Sequence, residues 1–362
     1  MQPVGRAGAG AGGAPMVTVV MPCRDEERFI GPALRSLLDG SWPHERLEVL
    51  VVDGRSSDGT RDQVAQIAGT GAPVRLLDNP RQSTPAALNL GIRQARGEII
   101  VRADGHCLYP PNFVAAQVRA LDAEGAAMAG TALDNGPAAP TTMAEAIACA
   151  LGSPFATGSP FRFRRRSGPA DTAAFGCWRR ELFGRLGLFD ERLLRNQDIE
   201  MAARIRRAGG RVHLCVDVRV RYFPRASLRA LMRQAIENGT WSAFTQRLHP
   251  YSFRWRHLLP ALFFLGVLAA SALFFAGALV DRRIAAAGAA LIAPYAAINL
   301  GASLALAARR RRLSFLLLLP AVFAGSHFAY GFGIVRGWWL VATGGWRGRL
   351  GLGEALWIVG EG

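Results

Sequence analysis

Lysine is absent: all 43 basic residues in this chain of 362 are arginine. That excludes a phosphate-binding loop built on lysine and any Schiff-base chemistry on a lysine amine. Cysteine is sparse. Cys23, Cys107, Cys149, Cys177 and Cys215 are widely separated, without the paired spacing of a disulfide framework or a zinc site. This fits a reducing, cytosolic setting for the first part of the chain. Residues 5–15 are rich in Gly and Ala and lack the apolar core of a secretion signal, so residues 1–15 read as a disordered lead. Long hydrophobic runs are missing up to about Pro250, where charge or turn residues interrupt every few positions, and from Leu258 they dominate. A division near His257 follows.

Acidic residues number only 27, leaving a formal net charge of +16. Such a charge would attract phosphate backbones, but much of it lies beside the apolar runs and no base-reading motif accompanies it. No nucleic-acid partner is expected. An all-arginine basic set is also what strong codon bias produces, so the excess has both a functional and a compositional reading.

From Val17 the pattern becomes regular. Residues 17–21, 47–52, 74–77 and 98–102 are short apolar strands; residues 26–38, 60–68 and 84–96 are helices between them. Phe29, Ile30, Ala33, Leu34, Leu37 and Leu38 share one face of the first helix. Ser57 and Asp58 can cap the second, and Thr84-Pro85 supplies a cap and a first-turn proline for the third. Strands alternating with helices over short connections imply right-handed crossovers and a parallel, doubly wound sheet, with ligands beyond the carboxyl ends of the strands.

Those ends carry chemistry. Pro22, Cys23, Arg24, Asp25 and Glu26 follow the first strand; Asp53, Gly54, Arg55, Ser56, Ser57, Asp58 and Gly59 follow the second; Asp104, Gly105 and His106 follow the fourth. An acidic, glycine-rich loop is common on any surface. Three at equivalent strand ends are much harder to attribute to chance.

The segments Pro-Cys-Arg-Asp-Glu-Glu at 22–27, Val-Val-Asp-Gly-Arg-Ser-Ser-Asp-Gly-Thr at 51–60 and Ala-Asp-Gly-His at 103–106 resemble the family-2 glycosyltransferases of GT-A fold. The likeness continues through Ala-Phe-Gly-Cys-Trp-Arg-Arg-Glu at 174–181 and Arg-Asn-Gln-Asp-Ile-Glu at 195–200. Asn-Gln-Asp, with the later Asn-Gly-Thr-Trp and Leu-His-Pro, is most similar to membrane-anchored exopolysaccharide enzymes of the succinoglycan type. The resemblance covers about residues 17–260. It implies a mixed, mainly parallel sheet and an inverting, hexosyltransferase-type enzyme using a nucleotide-sugar donor, UDP-sugar above others.

A departing nucleoside diphosphate gains negative charge as the glycosidic bond breaks, so a divalent cation, Mn2+ or Mg2+, is expected there. Asp104 and His106 are the candidate ligands. Most relatives carry Asp-x-Asp at this place; the imidazole of His106 would suit manganese somewhat better than magnesium. By the resemblance, Asp104 also touches the ribose or nucleotide. Asp53 would accept from a base or ribose donor, Gly54 stands where relatives often have a second aspartate, and Pro22, Arg24 and Glu26 would wall the nucleotide site. Inversion needs one base to deprotonate the acceptor hydroxyl, and Asp198, opening a helix over residues 199–208, is the candidate. A cap is the plainer role for such an Asp. Gly176, Trp178, Arg179 and Gln197 would line the acceptor side. The arginines of residues 161–166 would bind the pyrophosphate of a lipid-linked acceptor or lie as a solvated loop near anionic headgroups.

Residues 16–225 thus form the expected catalytic domain. Residues 226–256 hold an amphipathic helix, with Leu228, Leu231, Met232, Ala235, Ile236 and Phe244 at helical spacing flanked by Arg225, Arg229 and Arg233. It is expected to lie in a membrane interface, though a core-facing helix has a similar pattern. Within residues 257–336, the runs 258–280, 284–307 and 313–334 are each of spanning length, and residues 337–362 form a tail. Arg309 to Arg312 place the loop between the second and third runs in the cytoplasm. A multi-pass protein of the cell inner membrane with a cytoplasmic catalytic domain is expected, acting on a lipid-linked or membrane-surface saccharide in polysaccharide biosynthesis. Gly325, Gly331, Gly333 and His327 leave a re-entrant third segment open. The Gln-x-x-Arg-Trp signature of processive enzymes is missing, since Gln234 leads into Ala235, Ile236 and Glu237. The competing reading is a catalytically degenerate membrane scaffold that keeps a nucleotide-sugar fold; His106 and Gly54 favour it.

Overall fold

The computed structural model describes residues 13–157, 159–253 and 255–350. Most of the expected disordered lead, and the end of the expected tail from residue 351, lie outside them. Strands are β1 (Val17–Cys23), β2 (Leu47–Asp53), β3 (Val74–Asp78), β4 (Ile99–Arg102), β5 (Cys107–Leu108), β6 (Met128–Asn135), β7 (Gly168–Pro169), β8 (Ala174–Arg179) and β9 (Val212–Tyr222). Helices are α1 (Glu27–Leu38), α2 (Thr60–Ala68), α3 (Thr84–Gln94), α4 (Phe113–Ala123), α5 (Thr142–Leu151), α6 (Pro154–Thr157), α7 (Pro160–Phe163), α8 (Glu181–Leu186), α9 (Gln197–Arg207), α10 (Leu228–Leu248), α11 (Leu259–Val280), α12 (Arg282–Arg310) and α13 (Phe315–Ala342).

The chain folds as two compact units. One holds the residues up to Asp134 together with Ser159–Phe223; the other holds the stretch from Asn135 that carries α5 and α6, and Pro224–Arg347. The expected catalytic span of residues 16–225 is therefore interrupted, because α5 and α6 join the C-terminal helices.

In the first unit the sheet runs β3-β2-β1-β4-β8-β6-β9-β5, with β7 also on β9. β3, β2, β1 and β4 are mutually parallel, while β8 is antiparallel to both β4 and β6. Register brings Cys23 level with Asp53 and Asp53 level with Asp78, so the acidic strand ends share one edge. Both faces of β1 and β2 are buried, which explains their unbroken apolar sequence. Val17, Val19 and Met21 pack with Ile30 and Leu34 of α1, whereas Val20 packs opposite, with Leu88 of α3 and Met201 of α9. Each such side chain contributes about 1.5–3 kcal/mol of burial.

At the other edge Glu48 is buried yet fully engaged. It accepts from Thr18 Oγ1 at 2.7 Å, from the Arg96 N–H at 2.9 Å and from Arg75 Nη1 at 2.8 Å. Burial alone would raise its carboxyl pKa, and these donors together draw it below the usual value.

In the second unit three helices are long and apolar enough to cross a membrane: Trp255–Val280, Arg282–Arg310 and Phe315–Ala342. At 1.5 Å per residue, the 22 residues of α11 reach about 33 Å. α13 is one unbroken helix and continues past Arg336. Its glycines and His327 do not break it: the imidazole meets Tyr295 Oη at 3.0 Å and the Phe155 carbonyl at 2.7 Å.

Those glycines serve close packing. Gly325, Ala329, Gly333 and Gly337 recur every four residues, and a Cβ on Gly333 would lie 2.2 Å from the Ile236 carbonyl oxygen of α10. Thr240 Oγ1 donates to the Gly333 carbonyl at 3.1 Å, and Arg336 pairs with Glu237 at 3.3 Å. The buried face of α10 is thus met by α13, while Arg229 and Arg233 stay exposed.

Candidate active site

Three loops at the parallel strand ends are knitted together. The amide of Asp25 donates to Ser56 Oγ at 2.8 Å, that of Glu26 to Thr60 Oγ1 at 2.7 Å and that of Glu27 to Asp58 Oδ2 at 3.1 Å. In return Ser57 N–H donates to Asp25 Oδ1 at 2.7 Å. Asp25 and Arg55 have left-handed backbone, at φ 51° and 59°, held by this exchange. Asp58 caps α2 through the Thr60 amide. Burial pushes its pKa up, but the Thr60 and Glu27 donors outweigh that and lower it.

Asp53 is fully buried. Its oxygens accept from the Ser56 hydroxyl, the Ser56 amide at 3.1 Å and Arg61 Nη1 at 2.7 Å. The carboxylate therefore braces the loop from beneath, and Arg61 carries its charge outward; Arg61 is 41 % exposed. Pro22 is likewise buried. Arg24 differs: its buried Nε lies 3.5 Å from Asp25 Oδ2, neither it nor the buried Nη1 has a hydrogen-bond partner among the described residues, and the absent side chain of Gly54 leaves room beside it. Guanidinium donors that make no hydrogen bond at this position suit the acceptor atoms of a nucleotide.

Gly105 joins the first and third loops, since a Cβ there would meet Ile30 Cδ1 at 3.2 Å and Cys23 Cβ at 3.4 Å. The close turn lets His106 Nδ1 reach Glu26 Oε1 at 2.8 Å, with Tyr222 edge-on to the imidazole, ring centroids 5.8 Å apart. Arg162 lies over the Tyr222 ring at 5.2 Å, and its burial lowers its pKa. Of the basic stretch at 161–166, this is the residue drawn toward His106 through Tyr222. Arg165 and Arg166 are exposed.

Asp104 is held twice. Its peptide is clamped by the Tyr109 hydroxyl, and its carboxylate is gripped by Arg102, Nε to Oδ1 at 3.0 Å and Nη2 to Oδ2 at 3.4 Å. The Arg102 side chain is only 14 % exposed. Burial works against its charge, but the carboxylates of Asp104 and then Asp198 outweigh burial and hold it protonated. Asp198 thus shares the field of Arg102 with Asp104, though the two lie far apart in sequence. α9 presents Asp198 in its first turn after Asn196, whose left-handed φ of 63° asparagine tolerates well. Behind it, fully buried Glu200 grips Arg204, which also donates to the Leu186 and Leu188 carbonyls and fixes the helix.

Three residues expected on the acceptor side, Gly176, Trp178 and Arg179, are engaged elsewhere. Trp178 is 1 % exposed and packs edge-on against Phe183 and Phe189 in the core. Gly176 makes room for that ring, since a Cβ there would sit 2.2 Å from it. Arg179 pairs with Asp122 and lies level with Ile99, at the start of β4, because antiparallel β8 runs away from the strand ends that carry Asp104. Gln197 is buried beside Asp198 in the first turn of α9. Sequence reasoning missed Arg102 and Tyr109. Arg102 had a signal: two residues before Asp104 on an extended strand, it falls on the same side.

Among the described residues no three His, Cys, Asp or Glu side chains converge as a ready metal cage. The donor chemistry nevertheless fits a divalent cation. Glu26 holds His106 through Nδ1, as carboxylates hold metal-ligating histidines, and Asp104 offers hard oxygen. Other ligand positions would fall to diphosphate and water.

Residues 18–187 match the glycosyl transferase family 2 profile. The succinoglycan biosynthesis protein ExoA of Rhizobium meliloti (strain 1021) is 28% identical over 248 residues, 67% of this chain and 73% of that protein. A Methanococcus voltae enzyme, dolichyl N-acetyl-alpha-D-glucosaminyl phosphate 3-beta-D-2,3-diacetamido-2,3-dideoxy-beta-D-glucuronosyltransferase, is 21% identical over 255 residues, covering 69% and 79%. Among solved structures, the mannosyltransferase PcManGT of Pyrobaculum calidifontis, in complex with GDP-Man and Mn2+, superposes with a TM-score of 0.54 at 23% identity, covering 90% and 87% of the two chains. Profile, relatives and fold together support a family 2 glycosyltransferase domain of GT-A fold over residues 18–187.

Proposed function

We propose that this chain is an inverting glycosyltransferase that moves a hexose-type sugar from a nucleotide donor, a UDP-sugar, to a lipid-linked or membrane-surface saccharide in polysaccharide biosynthesis. The observation that carries this reading is Arg102, which grips Asp104 and also feels the charge of Asp198, because it brings a donor-side carboxylate and the candidate base into one electrostatic field. Relatives acting in succinoglycan biosynthesis and on a dolichyl phosphate sugar agree with a membrane-held acceptor. The three apolar helices support a multi-pass protein of the inner membrane, its catalytic domain on the cytoplasmic side where nucleotide sugars are made.

In this reading Arg24 donates to acceptor atoms of the nucleotide, and Asp53, through Ser56 and Arg61, keeps the loop around it in shape. Asp104 and His106 would hold a divalent cation, Mn2+ or Mg2+, which when bound neutralises charge growing on the departing diphosphate. Asp198 takes the proton from the acceptor hydroxyl as its oxygen attacks the anomeric carbon from the face opposite the diphosphate. The bond to the diphosphate oxygen breaks as the new glycosidic bond forms, and the diphosphate leaves with that electron pair. Purified full-length protein, given a panel of radiolabelled nucleotide sugars and membrane lipid extract, should transfer label in a chelator-sensitive way. No transfer from any donor would favour the degenerate scaffold instead.

A further inference from the structure

We propose that Arg102 is a resident counter-cation of this site that keeps a divalent ion from settling on Asp104 until a nucleoside diphosphate arrives. The inference rests on the assignment of Asp104 and His106 as cation ligands. It starts from the bidentate grip, in which both Asp104 oxygens face one guanidinium, Nε to Oδ1 at 3.0 Å and Nη2 to Oδ2 at 3.4 Å. The grip is sheltered, with the two side chains 14% and 19% exposed. It is also rigid, because the Tyr109 hydroxyl fixes the Asp104 peptide through both its N–H and its carbonyl.

A cation approaching Asp104 must therefore compete with a charge already in place. The two positive groups repel across a few ångströms of poorly screened space. His106 does not tip the balance, because its imidazole is paired with the Glu26 carboxylate and, among the described residues, no third His, Cys, Asp or Glu converges with the pair. A diphosphate changes the count by adding at least two negative charges. Its oxygens accept the Arg102 fork as readily as a carboxylate does, which frees Asp104 lone pairs for the ion. Cation and nucleotide would then bind as a linked pair, each raising the affinity of the other by the same factor. Arg102 is a positioning residue in this scheme, since it acts through Asp104.

The test is Mn2+ binding to the full chain in detergent, read from the electron paramagnetic resonance signal of free Mn2+, with and without UDP or GDP. Wild type should bind Mn2+ at least tenfold more tightly with nucleotide than without. Arg102→Gln removes the charge but keeps polarity, and should bind Mn2+ alone at least tenfold more tightly than wild type. Arg102→Lys keeps the charge and should stay within about threefold of wild type, the threshold separating charge from fork geometry. Equal Mn2+ affinity of wild type with and without nucleotide would overturn the inference while leaving the cation site standing. An Arg102→Gln protein of normal thermal stability that binds Mn2+ no better than wild type would overturn it as well. Failure of every protein to bind Mn2+ even with nucleotide would remove the cation assignment itself.

Discussion

The Tyr109 hydroxyl closes on the peptide of Asp104 from both sides, accepting from its N–H at 2.6 Å and donating to its carbonyl at 2.7 Å. Tyr109 is buried against Phe113 and Phe175, ring centroids 4.5 and 5.9 Å away, and burial pushes its phenol pKa well up, so the hydroxyl remains a donor. Tyr109→Phe keeps the ring and strands two partly buried main-chain groups. It should cost about 1–3 kcal/mol of stability and slow transfer, because Asp104 loses its clamp. Unfolding curves and single-donor rates check this; an unchanged midpoint and rate would show the clamp to be dispensable.

Stability toward acid should depend on Glu48. Its folded carboxyl titrates below the unfolded value of about 4.3, so its contribution is complete above that value and is lost as pH falls through the folded one. Glu48→Gln should lower stability by about 1–3 kcal/mol at neutral pH, leaving Thr18, Arg75 and the Arg96 amide poorly paired. The gap between variant and parent should narrow as the pH drops below about 4.3. A gap constant with pH would mean the carboxylate charge is not what stabilises this edge.

Much of the first half was legible because its strands are buried on both faces and read as unbroken apolar runs, as in Leu47–Asp53. The site loops were legible from composition at strand ends. Other features were not. Trp178 belongs to a motif that resembles an acceptor segment, yet strand alternation on β8 turns the ring into the core. α5 and α6 sit within the expected catalytic span but join the C-terminal helices, since the apolar surface they bury, around Ile147 and Leu151, faces Phe323 and Leu319. No local pattern announces a partner so distant in the chain. Asp53 was expected to accept from a base or ribose, and only the fold shows its oxygens taken by Ser56 and Arg61.

The α10–α13 seam should be intolerant of a single methyl. Gly333→Ala places a Cβ 2.2 Å from the Ile236 carbonyl oxygen, whereas Gly301→Ala in α12 meets nothing within 4 Å. The first should sharply reduce the yield of monodisperse, detergent-extracted protein, and the second should leave it unchanged or higher. Equal yields would mean the helices are not packed through these glycines.

Topology follows from the arginines at the end of α12. A reporter active only in the cytoplasm should be active when fused after Arg312 and silent after Arg283. The reverse pattern would invert the assigned orientation.

The most direct measurement compares wild type with Asp198→Asn in donor binding and in turnover. A general base acts only as the acceptor hydroxyl loses its proton, so its removal lowers turnover and leaves nucleotide-sugar affinity nearly intact. Asparagine fits the first turn of α9 about as well as aspartate, which keeps the fold constant. The account predicts near-normal donor affinity with transfer slowed at least about a hundredfold, the low end of what such catalysis contributes. Turnover close to wild type in a normally folded Asp198→Asn protein would contradict it.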